Sequence, residues 1–403
     1  MHQPTTDARP APLSGVRVID LTRVLAGPYA TMVLADLGAE VIKIERPGTG
    51  DDSRGFGPFR DGSSGYFASV NRGKQSCTVD LKTDEGRDIL LRLIRGADVL
   101  VENFKPGVME KLGLGWDAAH VVNPRLVYVS CSGFGQTGPY ASRPAYDVIV
   151  QGEGGLLSVT GTEGGPPVRV GVSLGDLAGA LFTVIGIQAA LAERGRTGQG
   201  RWVDVAMLDA VVAMLENAIV RADVEETAPG PLGTRHPSIA PFQAFPTRDG
   251  HVVVAAGNDR LWERLCRAIG ADRLIADPRF ATNEERIRHH GEMEAGLTVA
   301  FRTRDTAQWV SALQAAGVPC GPLNRVDDVM VDPQVAARNM MIEVADREGH
   351  VFHVAGSPLT RAAAGVVAAG WFPALGEHTD EVLARHAGLD ADSLAALRRR
   401  GVI

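Results

Sequence analysis

The segment GVRVIDLTRVLAGPYATMVLADLGAEVIKIERPG, residues 15–48, constrains the fold more than any other stretch of the chain. GVRVID and EVIKIE read as strands on either side of an approximately helical stretch from Pro28 to Leu37. Pro28 suits a first helical turn, Gly38 can terminate the helix, and the β-branched Val41, Ile42 and Ile44 favour the strand that follows. This is a beta-alpha-beta unit, and a second one follows it. DEGRDILLRLIRGADVLVENF reads as helix, Gly96 break and strand, and PRLVYVSCSGFG supplies another strand that runs into glycine-rich turns. Short strands spaced by helices imply an open α/β layer of parallel strands, with its ligand edge beyond their carboxyl ends.

Further along, Leu174 to Ala192 reads as one helix. Its apolar core from Leu177 is short for a bilayer span and contains Gln188, so a buried helix of a soluble protein is expected and no membrane association. After the basic glycine-rich turn ERGRTGQGR, WVDVAMLDAVVAMLENAIVRA reads as an extended entry and a second apolar helix. The loop-like run from Glu225 to Ile239 opens a domain boundary. PFQAFPTRDGHVVVAAG reads as a hairpin around Arg248, Asp249 and Gly250, and a smaller α+β region continues to about Asp328. The tail carries strand material around Val351 to Pro358, the turn PALGEHT and a terminal helix. The expected division is therefore 1–224, 225–328 and 329–403.

Composition enters as an exclusion. Across 403 residues, Lys+Arg 41 against Asp+Glu 48 gives a net charge of -7, which weighs against a general nucleic-acid binder but allows a local basic pocket for a phosphorylated small molecule. Cys77, Cys131, Cys266 and Cys320 are scattered and form no C-x-x-C pair, so isolated thiols in a cytoplasmic protein are expected. The opening MHQPTTDARPAPLSG has Pro and polar residues where a signal peptide needs an apolar run, so export is not expected.

The familiar motifs fail. LTRVLAGPYA follows Asp20 in place of G-x-G-x-x-G, and the chain has no GxxxxGK[ST], H-E-x-x-H or G-x-S-x-G. His289 and His290 are adjacent, and His350 and His353 have no nearby cysteine, so no metal is assigned. What remains is basic residues beside glycine and proline turns: Arg46 in IERPG, Arg54 in GDDSRGFG, Arg72 and Lys74 in VNRGKQS, and Lys105 in ENFKPG. Read alone, these serve either as an anion pocket or as solvated and ion-paired surface. Asp176, in VRVGVSLGDLAGALF, is equally open between a helix-start acid and a functional carboxylate.

Taken together, DLTRVLAGPYATMVLADLGAEVIKIERPGTGDDSR, SVNRGKQSCTVDLKTDEGR, DVLVENFKPGVMEKLGLG, YVSCSGFGQTGPYASRPAYD, GDLAGALF, AAGVPCGPL and PALGEHT resemble the class III CoA-transferase family, which also contains the alpha-methylacyl-CoA racemases. The resemblance runs from about Leu13 to Thr379. It implies a Rossmann-like large domain built from both chain ends, a smaller inserted α+β domain, and an interlinked homodimer with connectors near Pro229 and Pro319. It implies Asp176 as the nucleophile, working through an acyl-aspartyl anhydride and an aspartyl-CoA thioester without ATP or a prosthetic group, with the coenzyme A thioester as substrate. Arg46, Arg72, Lys74 and Lys105, with Val24, Leu25 and Ala26, fall to the CoA side. Arg23, Tyr146, Arg169 and Arg235 fall to the carboxylate side. Backbone amides near Leu25 to Gly27 and in Ala255 to Asn258 are candidates for oxyanion donors. Leu25 stands where oxalate-directed members have Gln, and AAGND replaces their glycine-rich run, which argues against formyl-CoA:oxalate specificity. Ala145-Tyr146-Asp147 stands where racemases commonly carry a histidine, which favours transfer. The wording is closest to transferases using succinyl-CoA and small dicarboxylates. Intramolecular transfer on a mesaconyl-CoA-like molecule, racemisation and a non-catalytic CoA-binding protein are the alternatives.

Overall fold

The computed structural model describes residues 10–359 and 370–403. Residues 1–9 of the amino-terminal stretch and 360–369 of the expected carboxyl-terminal segment lie outside the described residues. The chain gathers into two compact units. The larger takes the chain up to Leu156, Val170–Ile219 and Pro333–Ile403; the smaller takes Leu157–Arg169 and Val220–Asp332.

Six strands carry the larger unit: β1 (Arg17–Asp20), β2 (Glu40–Glu45), β3 (Gln75–Thr78), β4 (Val99–Glu102), β5 (Val127–Ser132) and β6 (Arg201–Ala206). They lie in the order β3-β2-β1-β4-β5-β6, every pairing parallel. In register, Ile19 of β1 sits opposite Ile42 and Leu100. Strands covered on both faces read as continuous apolar runs, which is why VRVI, EVIKI and VLV lack a polar face. The packing helices are α1 (Ala26–Asp36), α2 (Gly65–Asn71), α3 (Asp84–Arg95), α4 (Asp147–Glu153), α5 (Leu174–Thr197) and α6 (Met207–Met214).

Successive strand residues point to opposite faces. Val18, Val41, Val101 and Val129 therefore pack against Leu34 of α1 and Ile187 of α5, while Ile19, Ile42 and Leu100 meet Ile89 and Leu93 of α3. Leu383, Leu397 and Ile403 join that second cluster, so both chain ends share one core. The direction of winding reverses between β1 and β4. Ligands of open α/β sheets bind at such a reversal, beyond the strand ends.

Three elements depart from the sequence reading. α1 begins at Ala26, two residues before Pro28, and α5 runs past Ala192 to Thr197, where Gly198 at φ 76 ends it. The second apolar helix is two, α6 and Asn217–Glu225, because Glu216 between them has φ 35, outside the helical range. α5 is buried along one face only: Ala178, Thr183, Ile187 and Ala190 are enclosed, but Leu181, Phe182 and Ile185 are 46%, 39% and 60% exposed. By length and composition α5 is also the one described helix apolar enough to cross a membrane, and it carries Asp176 in its first turn and Arg194 and Arg196 in its last.

In the smaller unit β7 (Phe242–Pro246) and β8 (His251–Ala255) form the expected hairpin, closed by a Thr247 N–H to Gly250 carbonyl bond of 2.9 Å, and β9 (Cys320–Pro322) pairs antiparallel with β8. Its core holds Phe245, Trp262, Phe280, Phe301 and Trp309. The segment 157–169 belongs here because Gly233 N–H bonds the Gly161 carbonyl at 2.8 Å and Arg235 pairs with Glu163 at 2.8 Å. These partners are far apart in sequence, so no local pattern announces them.

α3 begins with Thr83, whose hydroxyl accepts the Gly86 amide at 3.0 Å. Alanine in a helix is ordinarily favoured over glycine by about 1 kcal/mol. A Cβ on Gly86, however, would lie 2.0 Å from the Asp80 carbonyl oxygen, a backbone atom with little room to move. Gly86→Ala should therefore destabilise the protein by about 1–3 kcal/mol in denaturant unfolding, the reverse of the propensity sign.

Candidate active site

The site is built outward from Asp20, the last residue of β1, which is fully buried. One carboxylate oxygen accepts the Thr22 amide at 2.8 Å and the Thr22 hydroxyl at 2.5 Å; the other accepts the Thr31 hydroxyl at 2.6 Å and Lys74 Nζ at 3.0 Å. Burial opposes ionisation of Asp20, but the Lys74 and Lys43 ammonium groups and the two hydroxyls outweigh it and hold the carboxyl well below the usual range. Beside it Lys43, also enclosed, bonds the Thr22 carbonyl at 2.8 Å and pairs with Asp51 at 2.8 Å. Burial lowers the Lys43 pKa, and the Asp20, Asp51 and Glu45 carboxylates more than reverse this, so it stays charged. Lys74 is moved down to about 8, burial dominating over the partly offsetting Asp20.

These pairs fix the turn from Thr22 to Gly27 between β1 and α1. Only glycine fits at 27, since a Cβ there would lie 2.3 Å from Thr22 Cβ. Val24 has φ 68 and leaves the turn facing a cavity of about 280 Å³. Leu25 and Ala26, Asn103 and Lys105 after β4, Tyr146, and Asp176 in the first turn of α5 line the same cavity. α5 reaches this position by packing on α4: Gly175 N–H bonds Asp147 at 2.9 Å, and a Cβ on Gly175 would lie 2.6 Å from Val150. Cys131 also lines the cavity, but burial, reinforced by the charge of Asp176, pushes its thiol up to about 12. A protonated thiol is a weak nucleophile.

Arg23, Phe104 and Lys105 line a second cavity too, of about 400 Å³, at the same edge of the sheet. Its apolar lining includes Leu81, Phe104, Val108 and Leu112, and Arg46, Lys82 and Lys105 supply cations. Apolar walls for a ring system with basic groups for phosphates suit a nucleotide.

The structure thus brings Arg23, Val24, Leu25, Ala26, Lys105, Tyr146 and Asp176 to one cavity and Arg46 to its neighbour. Arg72 and Lys74 line neither. Arg72 is buried in a fork with Asp36 at 3.1 and 2.6 Å, and Lys74 is enclosed by Asp20, Asn71 and the Pro28 carbonyl. Arg54 forks onto Glu45, both bonds 2.7 Å, and stacks over Phe67. All three are ion-paired, Arg72 and Lys74 in the interior and Arg54 partly buried, because a charge cannot be enclosed without a partner. Arg169 and Arg235 belong to the smaller unit, where Arg235 lines a cavity with His251 and His290. Arg23 pairs at 3.1 Å with Asp52, which lines the same cavity as Asp176. Sequence reasoning missed Asn103, Phe104, Lys82 and Arg143; the ENFKPG turn after a buried strand was the available signal for the first two.

A parallel sheet of this order, with a cavity lined by apolar and basic side chains and a cavity holding a carboxylate at its winding reversal, defines an open α/β protein with its candidate ligand site at that edge. Residues 13–379 match the model of CoA-transferase family III, and the chain belongs to that family. Among curated relatives it is 48% identical to an acetyl-CoA:oxalate CoA-transferase of Acetobacter aceti, over 84% of this chain and 88% of that one. It is 41% identical to a succinate–glutarate CoA-transferase of Agrobacterium fabrum, over 93% and 96%. A crystal structure of a CAIB/BAIF family protein from Brucella suis matches with a TM-score of 0.83 at 39% identity, covering 94% of this chain and 100% of that one. The protein is a CoA-transferase, handling acyl-CoA and carboxylate substrates.

Glu102 closes β4 beneath these cavities. Burial raises its carboxyl to about 7, against hydrogen bonds from Ser130 and from the Phe104 amide at 2.8 Å. The folded state therefore holds a proton that the unfolded chain releases near pH 4.5, so the stability Glu102 contributes is present below that pH and lost as pH rises to about 7. Glu102→Gln should gain on wild type in thermal unfolding between pH 5 and pH 8, by up to about 3 kcal/mol.

Proposed function

We propose that this enzyme moves CoA from succinyl-CoA or a related dicarboxylyl-CoA to a small carboxylic or dicarboxylic acid, with Asp176 as its nucleophile. One observation carries the reading: Asp176 shares a single cavity with the amino-terminal turn of α1 and with Arg23 and Lys105. The Asp176 carboxylate attacks the thioester carbonyl, the C–S bond breaks, and CoA leaves as thiolate from an acyl-aspartyl anhydride. The thiolate then attacks the aspartyl carbonyl, releasing the donor acid and leaving an aspartyl-CoA thioester. The acceptor carboxylate repeats these two steps in reverse and departs as its own CoA ester, with Asp176 restored.

Charge develops on a carbonyl oxygen at every step. The first-turn amides of α1 have no side-chain cap, and a helix amino terminus stabilises negative charge, so they are the donors we assign to it. Arg46, Lys82 and Lys105 are assigned to the CoA phosphates. Arg23 is the assigned partner of a distal carboxylate, for which Arg143, at the same cavity, is the competitor. Among the described residues, no histidine lines that cavity, which supports transfer over a two-base racemisation. The oxalate-named relative keeps oxalate among the acceptors, although Leu25 and AAGND had argued against formyl-CoA:oxalate chemistry.

The exposed apolar face of α5, together with Trp202, Val212 and Met214, supports assembly as a homodimer. Four free cysteines support a reducing, cytoplasmic setting.

Asp176→Asn should lower transfer from succinyl-CoA by at least about 10³-fold with unfolding unchanged; a rate near wild type would remove Asp176 from the chemistry. Across a panel from oxalate to glutarate, dicarboxylates should exceed matched monocarboxylates in kcat/KM by about 10–100-fold, the worth of one charged hydrogen-bonded contact. Equal rates would remove the distal contact, and isomerisation of mesaconyl-CoA without a second acid would mark intramolecular transfer. Sedimentation at micromolar concentration should give the mass of two chains, and a single-chain mass would contradict the dimer.

A further inference from the structure

The turn that faces Asp176 is held in a conformation its own residues disfavour. Val24 has φ 68, in the left-handed region that costs a non-glycine residue roughly 1–2 kcal/mol, and β-branched side chains fit it worst. Such a residue persists only where its neighbours over-determine it. Two side chains from separate elements do so. Asn103, just past β4, accepts the Arg23 amide at 2.8 Å and donates to the Arg23 carbonyl at 2.8 Å, so its amide grips both polar groups of one residue as a neighbouring strand would. Asp51 accepts the Val24 amide at 3.1 Å and is itself anchored by Lys43 at 2.8 Å and by the Ser53 amide and hydroxyl at 2.9 and 2.8 Å. The peptide groups on both sides of Arg23 are thereby locked, the second being the one that leads into Val24, and the chain enters α1 with its first-turn amides beside the cavity that holds Asp176.

We infer that Asn103 is a positioning residue for the transfer reaction: it holds Val24 in the left-handed conformation and so aims the amino-terminal amides of α1 at the reacting carbonyl. This rests on the reading of Asp176 as nucleophile. Asn103 acts through the backbone, so its loss should strike transition-state stabilisation and leave ground-state binding of CoA largely intact. A residue that merely bound CoA would act on KM instead.

The experiment is steady-state transfer from succinyl-CoA by Asn103→Ala, alone and combined with Val24→Gly, alongside Asp176→Asn and thermal unfolding of each. Asn103→Ala should lower kcat by about 10–100-fold, the scale of a misplacement near 1 Å, with KM for succinyl-CoA within about threefold of wild type. Glycine adopts positive φ without cost, so Val24→Gly in the Asn103→Ala background should recover kcat by at least about fivefold. If Asn103→Ala does not fold, Asn103→Asp replaces it. This keeps the acceptor for the Arg23 amide, loses the donor to its carbonyl, and should give the same kcat-dominated loss at about 3–10-fold. An unchanged kcat, a loss confined to KM, or no recovery from glycine in a folded variant overturns the inference. Full activity of Asp176→Asn would instead overturn the reading beneath it, and the two failures are read on different variants.

Discussion

The enclosed charges at the end of β1 are the constraint on which the larger unit's chemistry depends. Asp20 with Lys74, Lys43 with Asp51, and Glu45 with Arg54 place three acids and two bases in the interior and Arg54 partly buried at its edge, each with its opposite within 3.0 Å. Removing one member of such a set leaves a desolvated charge, whereas the intact set need contribute little net stability. Its value lies in geometry. Every pair ties a backbone turn to the sheet: Thr22 through Asp20 and Lys43, Val24 through Asp51, and the carboxyl-terminal stretch through Arg54, whose guanidinium also bonds the Pro373 carbonyl at 3.2 Å. The winding reversal between β1 and β4 supplies a crevice, and the charge set gives it a fixed rim.

This arrangement also reconciles an acidic protein with a polyanionic substrate. Several of the cations lie inside, where they neutralise acids, while Arg46, Lys82 and Lys105 stay exposed around one apolar cavity. A net charge of -7 therefore describes the surface at large and says little about the potential at that edge.

Much of the fold was legible because its signals are local. Pro28, Gly38 and the β-branched residues after it mark the first beta-alpha-beta unit, and Gly96 ends α3. Strand order was not legible, since periodicity fixes which face a residue takes and not which strand lies beside it. The segment 157–169 was lost for the same reason, its ties being to Gly233 and Arg235. In the site, VNRGKQS misled: a basic residue beside a glycine turn looks the same whether it meets a phosphate or a buried carboxylate, and Asp36 and Asp20 decided the matter. Asp176 was ambiguous from its own surroundings, a first-turn acid like any other, and only the ordered series of segments around it suggested a role. Asn103 was overlooked because an amide that grips a backbone has no sequence signature beyond its place after a strand.

The central claim is that a carboxylate, and no other group, carries the CoA between donor and acceptor. Its most direct measurement is peptide mass mapping of enzyme mixed with succinyl-CoA in the absence of acceptor. The peptide containing Asp176 should gain the mass of CoA less one water, lose it to hydroxylamine, and pass it to an added dicarboxylate at the rate of turnover. Turnover with no adduct, or with CoA on any other residue, Cys131 included, would contradict the account.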